Sequence, residues 1–391
     1  METKEFKYLL LIIIFQHVNL IGINTNHIIS HFSIIKLEIQ GAGQQKLFNN
    51  TIKYPDQIFI NNINQNEIKN IYKLNETNNE IKLIWNESIT NCEGLFENCL
   101  NITKIDFSDF DSSLVTDMSY MFSGCLSLSS LNLSNFDTSQ VKYMSYMFSG
   151  CSSLSSINLS NFDTSQVKSM GSMFEGCSSL SSLDLYNFNT SQVLYMYYMF
   201  ASSSSLKYLN LYNFNTSGID SMSSMFSGCS SLVSLNISSF DTSKVKSMYS
   251  MFYKCSSLLS LNLCNFNTSF VTDMSYMFNG NSLLNNLYLS SFDTSQVTNM
   301  YGMFSGCFSL SYLNLSNFET KNVEDMGFMF KDCSSLEYLN LSSFNTSKVT
   351  NMGSMFMGCS SLSYLNLFNF KTNQVKNMYI FYIFNWNLKS H

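Results

Sequence analysis

Histidine is nearly missing where it would matter most. The four copies, His17, His27, His31 and His391, all lie outside the repeated part of the chain. No histidine-dependent triad, proton relay or histidine-ligated metal site can be built on the repeats. Proline occurs once, at Pro55, which excludes a proline-rich stalk or linker. Charged residues make up 12%, about half the usual share, so the polar half of the chain is mostly Ser, Asn and Thr. A net charge of -6 without a basic cluster gives no footprint for nucleic acid or anionic lipid. No apolar run reaches the roughly 20 residues that a membrane-crossing helix needs.

What is present is a repeat. Met-Phe recurs every 26 residues from Met121-Phe122 to Met355-Phe356, with Leu95-Phe96 in the same phase and a stub at Val375 and Met378. Eleven copies and a stub result, and a solenoid of this kind grows along one axis without dividing into separate cores. In the unit from Cys125, Leu128, Leu131, Leu133 and Phe136 show L-x-x-L-x-L-x-x-F spacing, with a short alternating strand whose Asn132 faces outward. Val141, Met144, Met147 and Phe148 follow at i, i+3, i+6 and i+7. That spacing predicts one face of a short helix, capped by Thr138 or Ser139 and ended by Gly150.

The expected fold is therefore an α/β repeat solenoid, a leucine-rich-repeat horseshoe of short concave strands and short convex helices. Strands lie about 4.8 Å apart and packed helices about 8–10 Å apart, so such a stack must curve. Eleven coils would give a strand wall on the order of 50 Å long. In one coil Met147, Phe148, Cys151, Leu154, Leu159 and Phe162 are expected to be structural.

The phrase LNLSNFDTSQVKYMSYMFSGCSSL, Leu131 to Leu154, closely resembles the BspA-like leucine-rich-repeat family of surface proteins. The resemblance covers roughly three quarters of the chain, through ten in-phase copies. It implies a surface or secreted protein of adhesion and recognition; the periodicity itself shows only a scaffold. Two surface-anchoring features are not found, an LPxTG-type wall anchor and a lipobox cysteine, the first cysteine being Cys92.

Outside the repeats, residues 1–23 carry Lys4 and Lys7 before an apolar run from Tyr8 to Phe15, the pattern of a signal peptide. Residues 24–90 are expected to form a β-rich N-terminal cap, with strands over 34–41, 57–61 and 80–85. The solenoid is placed at 91–381 and a C-terminal tail at 382–391.

Several rows look like chemistry. Nine of the eleven cysteines occupy one repeat position, including Cys99, Cys125 and Cys151, with Ser203 and Asn281 in two coils. Parallel side chains suit neither disulfides nor a zinc tetrahedron, so the row reads as a small buried residue at a corner. Cys92 reads as core, and Cys264, off the row on the strand side, as exposed. The Met and Phe rows read as core. The Asp/Asn row beginning at Asp111 and Asp137 suits turns better than a calcium ladder, since stacked carboxylates repel. Sequons such as Asn75-Glu-Thr, Asn86-Glu-Ser and Asn101-Ile-Thr are numerous, as a composition rich in Asn and Ser makes inevitable.

Recognition falls to the strand wall. Its Ser/Asn surface gives way to Tyr208, Tyr312, Tyr338 and Tyr364 at one position, and to Tyr186 and Tyr212 two positions beyond the strand leucine. Tyrosine combines contact area with a hydrogen bond, which suits a protein or glycan ligand; cross-strand stacking that stiffens the wall is the other reading. The expected function is a non-catalytic surface or secreted adhesion and recognition protein, with no cofactor, metal or nucleic-acid partner. An intracellular leucine-rich-repeat scaffold is the alternative, since nine free thiols suit a reducing compartment.

Overall fold

The computed structural model describes residues 33–50 and 53–379. The signal peptide expected over 1–23 and the tail expected over 382–391 lie outside these residues. Seven strands open the described chain: β1 Ser33–Gln40, β2 Gly43–Lys46, β3 Gln57–Ile60, β4 Ile63–Asn64, β5 Ile71–Leu74, β6 Asn78–Trp85 and β7 Ile102–Asp109. Short strands follow along the repeats: β8 Ser130–Asn132, β9 Tyr208–Asn210, β10 Ser234–Asn236, β11 Ser260–Asn262, β12 Asn286–Tyr288, β13 Tyr338–Asn340 and β14 Tyr364–Asn366.

The alternation in Ser33–Gln40 puts Ile35, Leu37 and Ile39 inward, and β1 pairs antiparallel with β6 on one side and β7 on the other. β7 pairs parallel with β8, aligning Ile105 with Leu131 and Asp106 with Asn132. One six-stranded sheet, in the order β4-β3-β6-β1-β7-β8, thus carries the antiparallel N-terminal strands directly into the first parallel coils. The solenoid's leading edge is thereby paired, which removes an exposed row of unsatisfied backbone groups.

Within the coil from Cys125, the side chains of Leu128, Leu133, Phe136, Val141, Met144, Met147 and Phe148 are buried, and Leu131 is half-buried. In the next coil Cys151, Leu154, Leu159 and Phe162 are buried in the same way. Phe122, Phe148 and Phe174 stack at centroid spacings of 5.5 and 5.6 Å with nearly parallel rings. Each coil therefore buries its apolar face only against its neighbours.

The convex helices expected from the sequence are absent, since no helix occurs among the described residues. The segment 141–151 is a chain of tight turns: Met147 N–H donates to Met144 O at 3.3 Å, and Cys151 N–H to Phe148 O at 3.1 Å. Alternate N–H groups from Met144 to Gly150 point to the next coil. Met144 donates to Ser169 O at 3.0 Å, Tyr146 to Gly171 O at 2.9 Å and Phe148 to Met173 O at 2.9 Å. Parallel bridges run from Asn91 through Asp117, Tyr143 and Ser169 to Tyr195, and resume from Ser221 to Asn377. A helix would spend those donors on its own i−4 carbonyls.

The physical reason lies in spacing and composition. Strand pairing fixes coils about 4.8 Å apart, too close for packed helices but right for a second backbone ladder. The segment is also short and rich in Ser, Tyr and Val, which favour helix weakly. Two residues four apart turn into the left-handed region instead, Tyr146 (φ 58°) and Gly150 (φ 73°). Gly150 therefore serves a positive-φ turn rather than a helix terminus. The curvature argued from helix width lapses too. Ring spacing on the turn side, 5.5 Å for Phe122–Phe148, is no wider than the 6.3 Å of Phe136–Phe162 beyond the strand.

Candidate recognition surface

The cysteine row is a row of donors. Cys125 Sγ lies 3.1 Å from Phe96 O, Cys151 Sγ 3.2 Å from Phe122 O, and Cys177 Sγ 3.1 Å from Phe148 O. The replacements keep the bond: Ser203 Oγ donates to Phe174 O at 2.7 Å and Asn281 Nδ2 to Phe252 O at 2.8 Å. What the position demands is a hydrogen on a buried polar atom, and a thiol is one way to supply it. All cysteines are free, and burial pushes the Cys177 and Cys229 thiols up to about 12, which makes them poor nucleophiles and poor metal ligands. Cys92 is buried, and Cys264 is exposed with Sγ 3.2 Å from Ser290 Oγ.

Thr138 caps no helix. Its hydroxyl is buried, donates to Asp163 O at 2.9 Å and accepts from Asp163 N–H at 2.8 Å. The pattern repeats as Thr242 with Asn267 and Thr268 with Asp293. The Asp/Asn row closes turns: Asp137 Oδ1 accepts from Ser139 N–H at 2.9 Å and Asp241 Oδ1 from Ser243 N–H at 2.9 Å. Bonds from Ser243 hold the Asp241 carboxyl below the usual carboxylate range. Asn161 and Asn187 reach back with Nδ2 to backbone carbonyls of the preceding coil. Sequence reasoning missed this Thr–Asn network; its signal was the F-x-T phrase, unbroken from Phe136 to Thr372, which a cap alone does not require. Among the described residues, no group of three or more His, Cys, Asp and Glu side chains could hold a metal ion.

The strand wall carries the exposed aromatics. Tyr186, Tyr208 and Tyr312 are 68%, 65% and 63% exposed. Tyr186 and Tyr212 lie 6.2 Å apart at a tilt of 42°, and the Tyr186 hydroxyl, bonded to Tyr212, pushes the latter above the ordinary tyrosine range. Asp184, Tyr186, Tyr208, Asn210, Tyr212 and Asn236 share one shallow groove. Tyr312, Tyr338 and Tyr364 follow one another across parallel pairing, but they are not equivalent. Tyr338 and Tyr364 stack face to face at 4.4 Å, so each covers a face of the other, as the wall-stiffening role requires. Tyr288, which the sequence reading passed over, is exposed in a second groove with Tyr312.

A second aromatic surface was hidden by the helix expectation. On the turn side Tyr120 and Tyr146 stack at 4.6 Å, and Tyr276, Tyr301 and Phe328 form a chain at 5.1 and 5.3 Å. Tyr120, Tyr146, Tyr276 and Phe328 occupy the left-handed turn position, φ 58° in each.

A family model described as "Mycoplasma protein of unknown function, DUF285" matches residues 66–182, 151–261, 181–282, 257–363 and 314–390, together running from 66 to 390. The chain belongs to this family. The assignment agrees with the resemblance to BspA-like leucine-rich-repeat proteins carried by the repeat phrase. No curated protein matches this DUF285 chain. Among solved structures it is similar to a leucine-rich cell surface protein from Faecalibacterium prausnitzii A2-165, with 16% identity, coverage of 74% of this chain and 76% of that one, and a TM-score of 0.35. A leucine-rich repeat protein from Bacteroides ovatus ATCC 8483 gives 20% identity, coverage of 76% and 88%, and a TM-score of 0.27. A TLR13–ssRNA13 complex gives 19% identity, coverage of 65% and 45%, and a TM-score of 0.22. No helix of the described residues is long and apolar enough to cross a membrane.

Proposed function

We propose that this DUF285 protein is a non-catalytic recognition protein, secreted or displayed at a cell surface, that binds a protein or glycan through its strand wall. One observation carries the reading. The Cys, Thr and Met-Phe rows are spent on the interior, whereas Tyr186, Tyr208 and Tyr312 stand open on an otherwise Ser/Asn surface. Exposed rings gathered in one groove, as Tyr186, Tyr208 and Tyr212 are, form the kind of aromatic patch with polar tips that recognition uses. Adhesion is the form of recognition that the BspA-like resemblance suggests. The buried thiols do not speak for a reducing compartment, because burial alone keeps them from oxidation.

Residues 1–23 would act as the signal peptide, 24–90 as the cap and 91–381 as the solenoid. N-terminal sequencing of exported protein is expected to show loss of the first 23 residues; retention of an intact N-terminus on purely cytoplasmic protein would sink the surface reading. Binding itself is tested with an array of matrix proteins and glycans, probed with wild type and a Tyr312→Ser/Tyr338→Ser/Tyr364→Ser variant. Loss of bound signal in the variant, with an unchanged circular dichroism spectrum, is the expected result. Equal binding by the two would remove this strip from the site.

A further inference from the structure

The groove around Tyr186, Tyr208 and Tyr212 is more specific than the wall as a whole. Its aromatic members sit beside Asp184, Asn210 and Asn236, which belong to a row running along the solenoid. In that row one side-chain oxygen is tied down by the backbone two residues on. Asn158 Oδ1 accepts from Ser160 N–H at 3.0 Å, Asn236 Oδ1 from Ser238 N–H at 3.2 Å, and Asn340 Oδ1 from Ser342 N–H at 3.0 Å. Asp184 does the same with Tyr186 N–H at 3.0 Å. Pinning the oxygen fixes the direction of the amide, so each Nδ2 is an oriented donor, and no partner within the described chain takes it at Asn158, Asn236 or Asn340. Rotamer entropy is already lost before any ligand arrives.

The geometry points to a neutral, linear glycan lying along the solenoid axis and seated on the tyrosine groove, an inference that rests on the strand-wall reading above. Three features select it. The groove is shallow and has a single charged lining residue, Asp184, so it offers neither the deep apolar pocket that an anchoring protein side chain fills nor cations for an anionic chain. The rings of Tyr186 and Tyr208 present open faces, against which the C–H face of a sugar packs. From Asn210 through Asn236 to Asn262 the donors follow in consecutive coils, about 4.8 Å apart, after the acceptor Asp184, whereas an extended peptide advances about 3.3 Å per residue and falls out of step with them. A pyranose unit in an extended glycan is close to one coil spacing long and presents hydroxyl and ring oxygens at each step.

The test uses the full chain on microcrystalline cellulose, chitin and curdlan, with heparin-agarose and immobilised matrix proteins as contrasting arms. The variant is Tyr186→Ser/Tyr208→Ser/Tyr212→Ser. Serine is what other coils carry at these positions, as at Ser134, Ser130 and Ser238, so the fold is kept. Retention on a neutral glycan, lowered at least tenfold in the serine variant and within about threefold in the matching Tyr→Phe variant, is the expected result. Stacking survives loss of the hydroxyl, and a purely structural role for the rings would leave retention unchanged in both. No retention on any neutral glycan overturns the inference. If a matrix protein is then bound and lost in a serine variant, the strand-wall reading stands without it; if nothing is bound, both fall. Glycan retention unaffected by the serine variant also overturns the assignment to this groove.

Discussion

Asn281 donates Nδ2 to the backbone carbonyl oxygen of Phe252 at 2.8 Å. One coil earlier Cys255 Sγ holds the corresponding place against Phe226 O at 3.0 Å. The two side chains share a donor and nothing else, which identifies what the row conserves physically. The Asn281 seat is imperfect, because its Oδ1 is buried without a partner. Asn281→Cys or Asn281→Ser removes that orphan acceptor and keeps the donor to Phe252 O; the second Nδ2 bond, to Phe278 O at 2.7 Å, is given up at a carbonyl that also accepts from Cys307 Sγ. Either is expected to raise stability by about 1 kcal/mol, read from urea midpoints at constant m. Cys177→Ala, which deletes the donor to Phe148 O, is expected to cost about 1–3 kcal/mol. Equal stability of Cys177→Ala and Cys177→Ser would show that the bond is incidental.

The same burial sets the behaviour with pH. Thiols such as Cys177, Cys229 and Cys307 lie at about 12 in the folded chain against 9.0 when solvated, raised by desolvation. A raised acid binds its proton more tightly folded than unfolded, so its stabilising share is complete below pH 9 and is lost between 9 and about 12. The loss amounts to about 1.4 kcal/mol per pH unit for each such thiol. Thermal midpoints are expected to stay level from pH 6 to 8 and fall steeply above 9, less steeply in a Cys177→Ser/Cys229→Ser/Cys307→Ser variant. Thiol titration of the native chain at pH 8 is expected to find one rapidly reacting group, Cys264, and the rest only after denaturation.

Thr242 illustrates the other buried row. Its hydroxyl donates to Asn267 O at 2.8 Å and accepts from Asn267 N–H at 2.8 Å. Thr242→Val keeps the shape and removes both bonds, with an expected cost of about 2–4 kcal/mol; Thr242→Ser keeps both and is expected to cost under about 1 kcal/mol. Ser112, in the first coil, already accepts from Asp137 N–H at 2.8 Å in this way. Indistinguishable urea midpoints for the two variants would contradict the role given to this row.

The sequence carried the coil length, the inward Leu, Met and Phe positions and the strand side, because burial leaves a strict period that composition cannot mimic. It misled at Val141, Met144 and Met147. A three-residue recurrence fits one face of a helix and equally a run of i→i+3 turns, and hydrogen bonds to the next coil decide between them. Those bonds are invisible in a single repeat. The sequence reads Cys177 as a buried corner and Thr138 as a helix cap, but their partners lie in adjoining coils 29 and 25 residues away, so their purpose is not legible in one repeat either. Tyr338 and Tyr364 were grouped with Tyr312 by position alone, and only ring geometry separates the stacked pair from the open ring.

The second ladder has a spectroscopic consequence. Far-ultraviolet circular dichroism of the folded chain is expected to lack the paired helical minima, since the turn segments bond between coils instead of within themselves. A helical fraction near one third, as strand–helix coils would give, would restore the expectation set aside above.

The most direct measurement compares two surfaces on one ligand. Wild type is titrated with the strongest binder from the protein and glycan array, beside a strand-wall variant, Tyr186→Ser/Tyr208→Ser/Tyr312→Ser, and a turn-face variant, Tyr143→Ser/Tyr195→Ser/Tyr249→Ser, whose three rings are exposed on the turn segments. Recognition by the strand wall requires at least a tenfold loss in the first and affinity within about threefold of wild type in the second. The reverse pattern, with the strand-wall variant binding normally and the turn-face variant failing, would contradict it.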